Sequence, residues 1–347
     1  MARAAGAAGT PGATDGGVLP LTNTGNTCYT SAALQLLMCL AMHAGAGQRY
    51  AVRRLLEQPI GDSLGSLRAR PADGNPWVDV GKLVPPWARF FTYIRSMAEL
   101  KMSTSPEKAK LNGRIVADSL RALGARCIPA PGAMPVQGDP NEVITQLLET
   151  EDRVASECRK EDAGTPGEPL VGSMLRFTLL SRVTCDVCHR DGQEIREVHY
   201  SFQIKHAESF ADHVNSLARD NEVLEYQCGT CKRPCSAQQR TVIETPPREA
   251  MLVDIARGGV SRVDNWRFRA EPTICFKDKE GRTAVFNAAA VIAFSGNVSS
   301  GHYIAKYPYG DRWLTVNDAA LVPEAAQGVL ERGAVTSILY LRGRPGE

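Results

Sequence analysis

The pattern of apolar positions changes character partway along the chain. Between Asn26 and His43, Leu34, Leu37, Leu40 and Ala41 recur at helical spacing, and Gly45 and Gly47 close the run. Residues 48–125 read as further helices broken by turns at Arg70–Pro76 and Val84–Pro86, and residues 128–140 as a Pro/Gly loop. A helix is expected from Asn141 to Lys160, with Val143, Leu147 and Val154 among its apolar positions. After Pro169, short β-branched and aromatic runs take over. Strands are expected at Phe177–Val183, Val198–Ile204, Thr241–Ile243, Met251–Ile255, Val291–Phe294, His302–Tyr307 and Ser337–Leu341, with one short helix around Phe210–Ala218. The fold class that follows is α+β, a helical first part packed against an antiparallel β part.

Composition narrows this picture. A chain of 347 residues, 43% hydrophobic and 22% charged, has the make-up of a soluble globular protein with a large core. Lys and Arg total 40 against 38 for Asp and Glu. That near-balance lacks the basic surplus of a nucleic-acid binder. No stretch approaches the roughly 20 apolar residues of a membrane span. The first 17 residues are mostly Ala, Gly, Thr and Pro without an apolar segment, which reads as a disordered tail rather than a secretory signal. An intracellular setting, cytoplasm or nucleus, is therefore expected. The ten cysteines are expected to be thiols or metal ligands rather than disulfides.

Two local patterns carry candidate chemistry. Asn23-Thr24-Gly25-Asn26-Thr27-Cys28-Tyr29 opens the first helix. A cysteine there feels the positive end of the helix dipole, which favours thiolate. Asn23, folded back at Gly25, could donate to an oxyanion beside the Cys28 N–H. Taken alone, Cys28 reads first as a buried structural thiol, where free cysteines usually sit. Near the other end, Gly301-His302-Tyr303 begins one expected strand and Trp313–Asn317 forms the next, with a turn at Pro308–Asp311. Pairing them sets His302 beside Asn317 and Asp318. Asn317 could take the His302 Nδ1–H, or Asp318 could do so as a carboxylate, or hold water in the oxyanion region.

Cys185-Asp186-Val187-Cys188 and Cys228-Gly229-Thr230-Cys231 are two CxxC knuckles, a donor set suited to a closed tetrahedral zinc site. Cys235 is an alternative ligand in place of a neighbour. The run from Cys185 to His189 also spells a c-type haem attachment pattern, but that would leave the second knuckle unexplained.

Together these segments resemble ubiquitin-specific proteases. Asn-Thr-Gly-Asn-Thr-Cys-Tyr with Leu34-Gln35 is similar to that family's Cys box, and Ser-Gly-His-Tyr-Ile-Ala with Trp313 and Asn317-Asp318 to its His box. Gln137-Gly138-Asp139-Pro140-Asn141-Glu142-Val143 resembles its intervening acidic segment, with Val143 in place of the usual aromatic. The paired knuckles resemble its zinc-bearing fingers. The resemblance implies a papain-like cysteine protease of thumb, palm and fingers: residues 18–165 mainly helical thumb, 166–256 mainly fingers with a zinc ribbon, and 257–347 mainly antiparallel palm. It implies hydrolysis after the C-terminal glycine of ubiquitin by Cys28, His302 and Asn317, assisted by Asn23 and Asp318. It further implies that Gln137, Asp139 and Glu142 bind the ubiquitin tail, the two acids through its arginines, and that Tyr303 lines a narrow tail channel. The plain reading of Asp139 and Glu142 is acidity at a helix N-terminus. A protease for another ubiquitin-like modifier, and a ubiquitin-binding pseudoenzyme, are the competing readings.

Overall fold

The computed structural model describes residues 21, 23, 28–43, 138–149, 170–190, 192, 194–205, 207–255, 268–277, 283–296, 301–309, 312–318, 320–325, 329–330 and 334–343. The expected helices of residues 48–125, the loop up to residue 137, and the far end of the helix begun at Asn141 lie outside these residues. Four helices are described: α1 (Cys28–His43), α2 (residues 140–149), α3 (Leu170–Leu175) and α4 (Phe210–Leu217). Twelve strands accompany them: β1 (Phe177–Cys185), β2 (Ile195–His199), β3 (Ser201–Ile204), β4 (Asn221–Gln227), β5 (Pro234–Thr245), β6 (Ala250–Ile255), β7 (Thr273–Lys277), β8 (Thr283–Gly296), β9 (Gly301–Tyr309), β10 (Arg312–Asn317), β11 (Ala320–Ala325) and β12 (Ala334–Arg342).

The strands form two sheets. The smaller runs β2-β1-β5-β4, and the larger runs β11-β10-β9-β8-β12-β6-β3 with β7 paired to β8. The expectation of an antiparallel β part needs one correction, because β3 and β6 run parallel, Phe202 opposite Val253. A parallel neighbour requires a long crossover, and α4, β4 and β5 fill it. Thus β3 and β6, within the range assigned mainly to fingers, belong to the large sheet. The turn after β9 is also tighter than expected, since Pro308 and Tyr309 stay in the strand and pair with Trp313 and Arg312.

Both faces of the large sheet are buried, which is why β6 is apolar at nearly every position. On one face Leu252, Ala290, Ile292, Ala305, Leu339 and Leu341 pack against Leu34, Leu36, Leu37 and Leu40 of α1 and Val143, Ile144 and Leu147 of α2. On the other, Met251, Val253, Val291, Ile338 and Tyr340 pack against Phe177, Phe202 and Phe210. Phe177 stacks on Phe202 at 3.9 Å between centroids, and Phe210 meets Phe202 edge-on at 5.1 Å, which fastens the base of the small sheet to the large one. Helix α4 starts where Ser209 Oγ accepts the Asp212 N–H. Among the described residues no helix is long and apolar enough to cross a membrane.

Truncating Leu36, fully buried on α1, should cost about 2–5 kcal/mol, while truncating Leu224, 71% exposed on β4, should change stability by less than about 0.5 kcal/mol. Chemical denaturation of Leu36→Ala and Leu224→Ala measures both.

Candidate active site and metal centre

Cys28 is the first residue of α1 and is buried. The Tyr303 backbone N–H points at its sulfur, as do the N–H groups of Tyr29 and Cys28 itself. His302 precedes Tyr303 at the start of β9, so a helix from one end of the chain and a strand from the other meet at this thiol. The N–H groups favour thiolate, as expected of a helix start. Burial outweighs them, and with the nearby Asp318 carboxylate it pushes the Cys28 thiol above the ordinary range. The helix N–H groups are therefore outweighed at this sulfur.

His302 Nε2 lies 2.6 Å from Asn317 Oδ1 and 3.7 Å from Asp318 Oδ2. The antiparallel register that pairs Val316 with Ala305 sets Asn317 diagonally across from His302 on the same face. An amide oxygen only accepts, so Nε2 is the donor in this bond. This differs from the expected donor: Nε2, not Nδ1, faces Asn317. Asp318 adopts a left-handed φ of 50°. Burial raises its carboxyl, while His302 and a hydrogen bond from the Asn23 side chain lower it. Its carbonyl accepts the Leu21 N–H at 3.1 Å, which places Leu21 beside the end of β10.

The acidic segment approaches from a third direction. A Cβ on Gly138 would lie 2.5 Å from the Tyr29 ring, so only glycine lets this loop pass so close to the residue after Cys28. Asp139 caps α2, its Oδ1 accepting the Asn141 N–H at 2.9 Å, and Pro140 takes the first helical position. The plain reading of Asp139 is thus realised, yet both Asp139 and Glu142 remain exposed. Tyr303 is partly buried against Phe294. Burial, then the charges of Asp139, Cys28, Asp254 and Glu142, hold its phenol well above its usual value. Gln137 lies outside the described residues.

Sequence reasoning did not single out Asn141, Asp254 or Ser337. Asn141 Nδ2 donates to Asp254 Oδ1 at 2.6 Å and Ser337 Oγ donates to Asn141 Oδ1 at 2.9 Å. A charged residue next to the end of otherwise apolar β6 was the available signal.

The cysteine tetrad closes as expected of a metal centre. The sulfurs of Cys185, Cys188, Cys228 and Cys231 all lie within 4.8 Å of one another. Tetrahedral zinc thiolate bonds of about 2.3 Å set sulfur–sulfur edges at about 3.8 Å, and Cys185–Cys231 and Cys188–Cys228 measure 3.9 and 3.7 Å. The knuckles repeat one geometry. The N–H of His189 bonds the Cys185 carbonyl, as that of Lys232 bonds Cys228, and both residues have positive φ. The Cys188 N–H leads in drawing the Cys185 thiol down to about 6, and those of Cys231 and Thr230 lower Cys228. Cys235, the alternative ligand, sits 3.4 Å from Cys185.

The family model described as ubiquitin carboxyl-terminal hydrolase matches residues 20–338. No curated protein matches the chain by sequence. Among solved structures, the SAGA Ubp8/Sgf11/Sus1/Sgf73 DUB module bound to ubiquitin aldehyde matches with a TM-score of 0.66 and 15% identity, over 94% of this chain and 70% of that one. The same module bound to monoubiquitin gives 0.65 and 14%, over 94% and 69%. A yeast SAGA DUB module with altered Sgf73 gives 0.65 and 16%, over 94% and 69%. At these identities the likeness is one of fold.

Two outcomes follow. Alkylation of Cys28 by iodoacetamide should keep accelerating with pH beyond the point where an ordinary thiol levels off, near about 8.5; mass spectrometry of the labelled peptide across pH reads this. Purified protein should hold one equivalent of zinc. Cys228→Ser should lose it and melt about 5 °C or more lower, whereas Cys275→Ser, at an exposed thiol, should change neither.

Proposed function

The chain belongs to the ubiquitin carboxyl-terminal hydrolase family, and on that premise we propose that it is a thiol-dependent deubiquitinase acting through Cys28, His302 and Asn317. The observation that carries the reading is the Tyr303 N–H at the Cys28 sulfur, on the residue that follows the His302 held by Asn317 at 2.6 Å. The His302 Nδ1 takes the Cys28 proton as the sulfur attacks the carbonyl of the ubiquitin C-terminal glycine. The Cys28 N–H and the Asn23 amide hold the oxyanion. His302 then gives its proton to the leaving amine, and a thioester remains. A water deprotonated by His302 hydrolyses that thioester and restores the thiol. Asn317 fixes the imidazole, and Asp318 stabilises its charged form.

In this reading the helices are the thumb, the large sheet the palm, and the small sheet with its cysteine centre the fingers. Zinc is the metal that suits four thiolates in a closed site, and it supplies rigidity rather than chemistry. Asp139 and Glu142 pair with arginines of the ubiquitin tail, with Gln137 beside them. Tyr303 walls a channel narrow enough to favour glycine. Ubiquitin and ubiquitinated proteins are the partners, and a reducing intracellular setting, cytoplasm or nucleus, suits a free nucleophilic thiol.

Ubiquitin carrying a C-terminal electrophile should form an adduct with the protein at Cys28, and none with Cys28→Ala. Asn317→Ala should lower kcat/KM on a ubiquitin-derived substrate by about 100-fold. Labelling by a different ubiquitin-like modifier instead would move the substrate assignment. A protein that binds ubiquitin yet labels with no modifier would sink the enzymatic reading.

A further inference from the structure

We propose that Asn141 is a positioning residue for substrate recognition, one amide that bolts the acidic turn Asp139–Glu142 to the central sheet. The inference rests on the reading of that turn as the site for a basic ubiquitin tail, and it concerns how the turn is held.

Three bonds converge on Asn141. Its backbone N–H holds Asp139 Oδ1 at 2.9 Å. Its side-chain Nδ2 donates to Asp254 Oδ1 at 2.6 Å, and its Oδ1 accepts from Ser337 Oγ at 2.9 Å. Asp254 and Ser337 are direct partners across β6 and β12. A side chain with one donor end and one acceptor end is what this pair of groups requires, and Asn supplies both at the right length. Ser337 is fully buried and Asp254 nearly so, so losing the amide would leave both without this partner inside the protein. The side chain acts through its own backbone: the Asn141 N–H holds the Asp139 carboxylate, and the side-chain amide anchors that backbone to the sheet.

Asp254 is the second half of the device. Burial, and then the Asp139 charge, raise its carboxyl to about 7. A protonated Asp254 still accepts from Asn141 and does not repel Asp139. An asparagine at 254 would offer the same acceptor permanently, whereas an apolar residue there would not.

The test is steady-state kinetics on two full-length ubiquitin substrates, one native and one with its tail arginines neutralised. For the wild-type protein, neutralisation should raise KM by about 10-fold or more, as expected for charge-assisted pairs. In Asn141→Ala, KM on the native substrate should rise by a similar factor with kcat within about 2-fold, and the penalty for neutralising the tail should largely vanish. Asp254→Leu should behave like Asn141→Ala, and Asp254→Asn should restore wild-type KM. Ser337→Ala removes one bond of the clamp and provides the milder variant if the others fold poorly; it should raise KM about 2–5-fold. A loss of kcat at unchanged KM, or a tail penalty undiminished in the variants, would overturn the positioning role. A wild-type protein indifferent to tail charge would overturn both this role and the reading of the acidic turn, and failure of the wild type to cleave either substrate would instead remove the deubiquitinase assignment itself.

Discussion

The close approach of α1 to strands β8 and β9 is the constraint on which the site depends. Cys28 is carried by the helix and His302 by the strand, so their separation is set by how deeply one lies on the other. Alanines at 289, 290 and 305 keep the sheet face low where the leucines of α1 settle. A buried hydrogen bond from Tyr307 Oη to Gln35 Oε1, 3.0 Å long, fixes the helix along the strand two turns beyond Cys28. The Cys39 sulfur adds a contact to the Ala289 carbonyl at 3.4 Å. An unpaired phenol or amide at such depth costs about 1–3 kcal/mol, so the Gln35–Tyr307 pair resists both sliding and rotation.

Burial has a second effect in the same place. The packing that aligns the helix also withdraws Cys28 from water, and desolvation overrides the helix N–H groups. The thiol is pushed above its ordinary range there, and burial raises the nearby Asp318 carboxyl as well. In the proposed mechanism this leaves proton transfer to His302, whose orientation is set by a short bond to Asn317.

Much of this was legible in the sequence, and the exceptions have physical reasons. The Cys28 helix start, the β9–β10 pairing that brings His302 to Asn317, and the two knuckles follow from periodicity and ligand spacing. Strand β4 (NEVLEYQ) escapes notice because it is an edge strand with polar residues on both faces, and β11 because Pro323 argues against a strand; Pro is tolerated there at an edge. The parallel β3–β6 pairing depends on a long-range crossover that no local pattern encodes. The sign of the Cys28 shift depends on how much apolar matter surrounds the sulfur, and Asn141 looks like an ordinary helix-start residue until its strand partners are known. The imidazole nitrogen facing Asn317 is a rotamer choice that residue order cannot express.

The order of strands also governs when the site comes into being. Strand β12 is the last described segment of the chain to be synthesised, yet it lies inside the large sheet between β8 and β6. Until it leaves the ribosome, β6 with β3 has no neighbour joining it to β8, β9 and β10, and the helix-facing core lacks Leu339 and Leu341. A chain that has not yet made β12 therefore carries Cys28 on α1 without a joined sheet beneath it. On the proposed mechanism, a chain cut within β12 would lose the join between the two halves of the large sheet, far more than the few residues removed suggest.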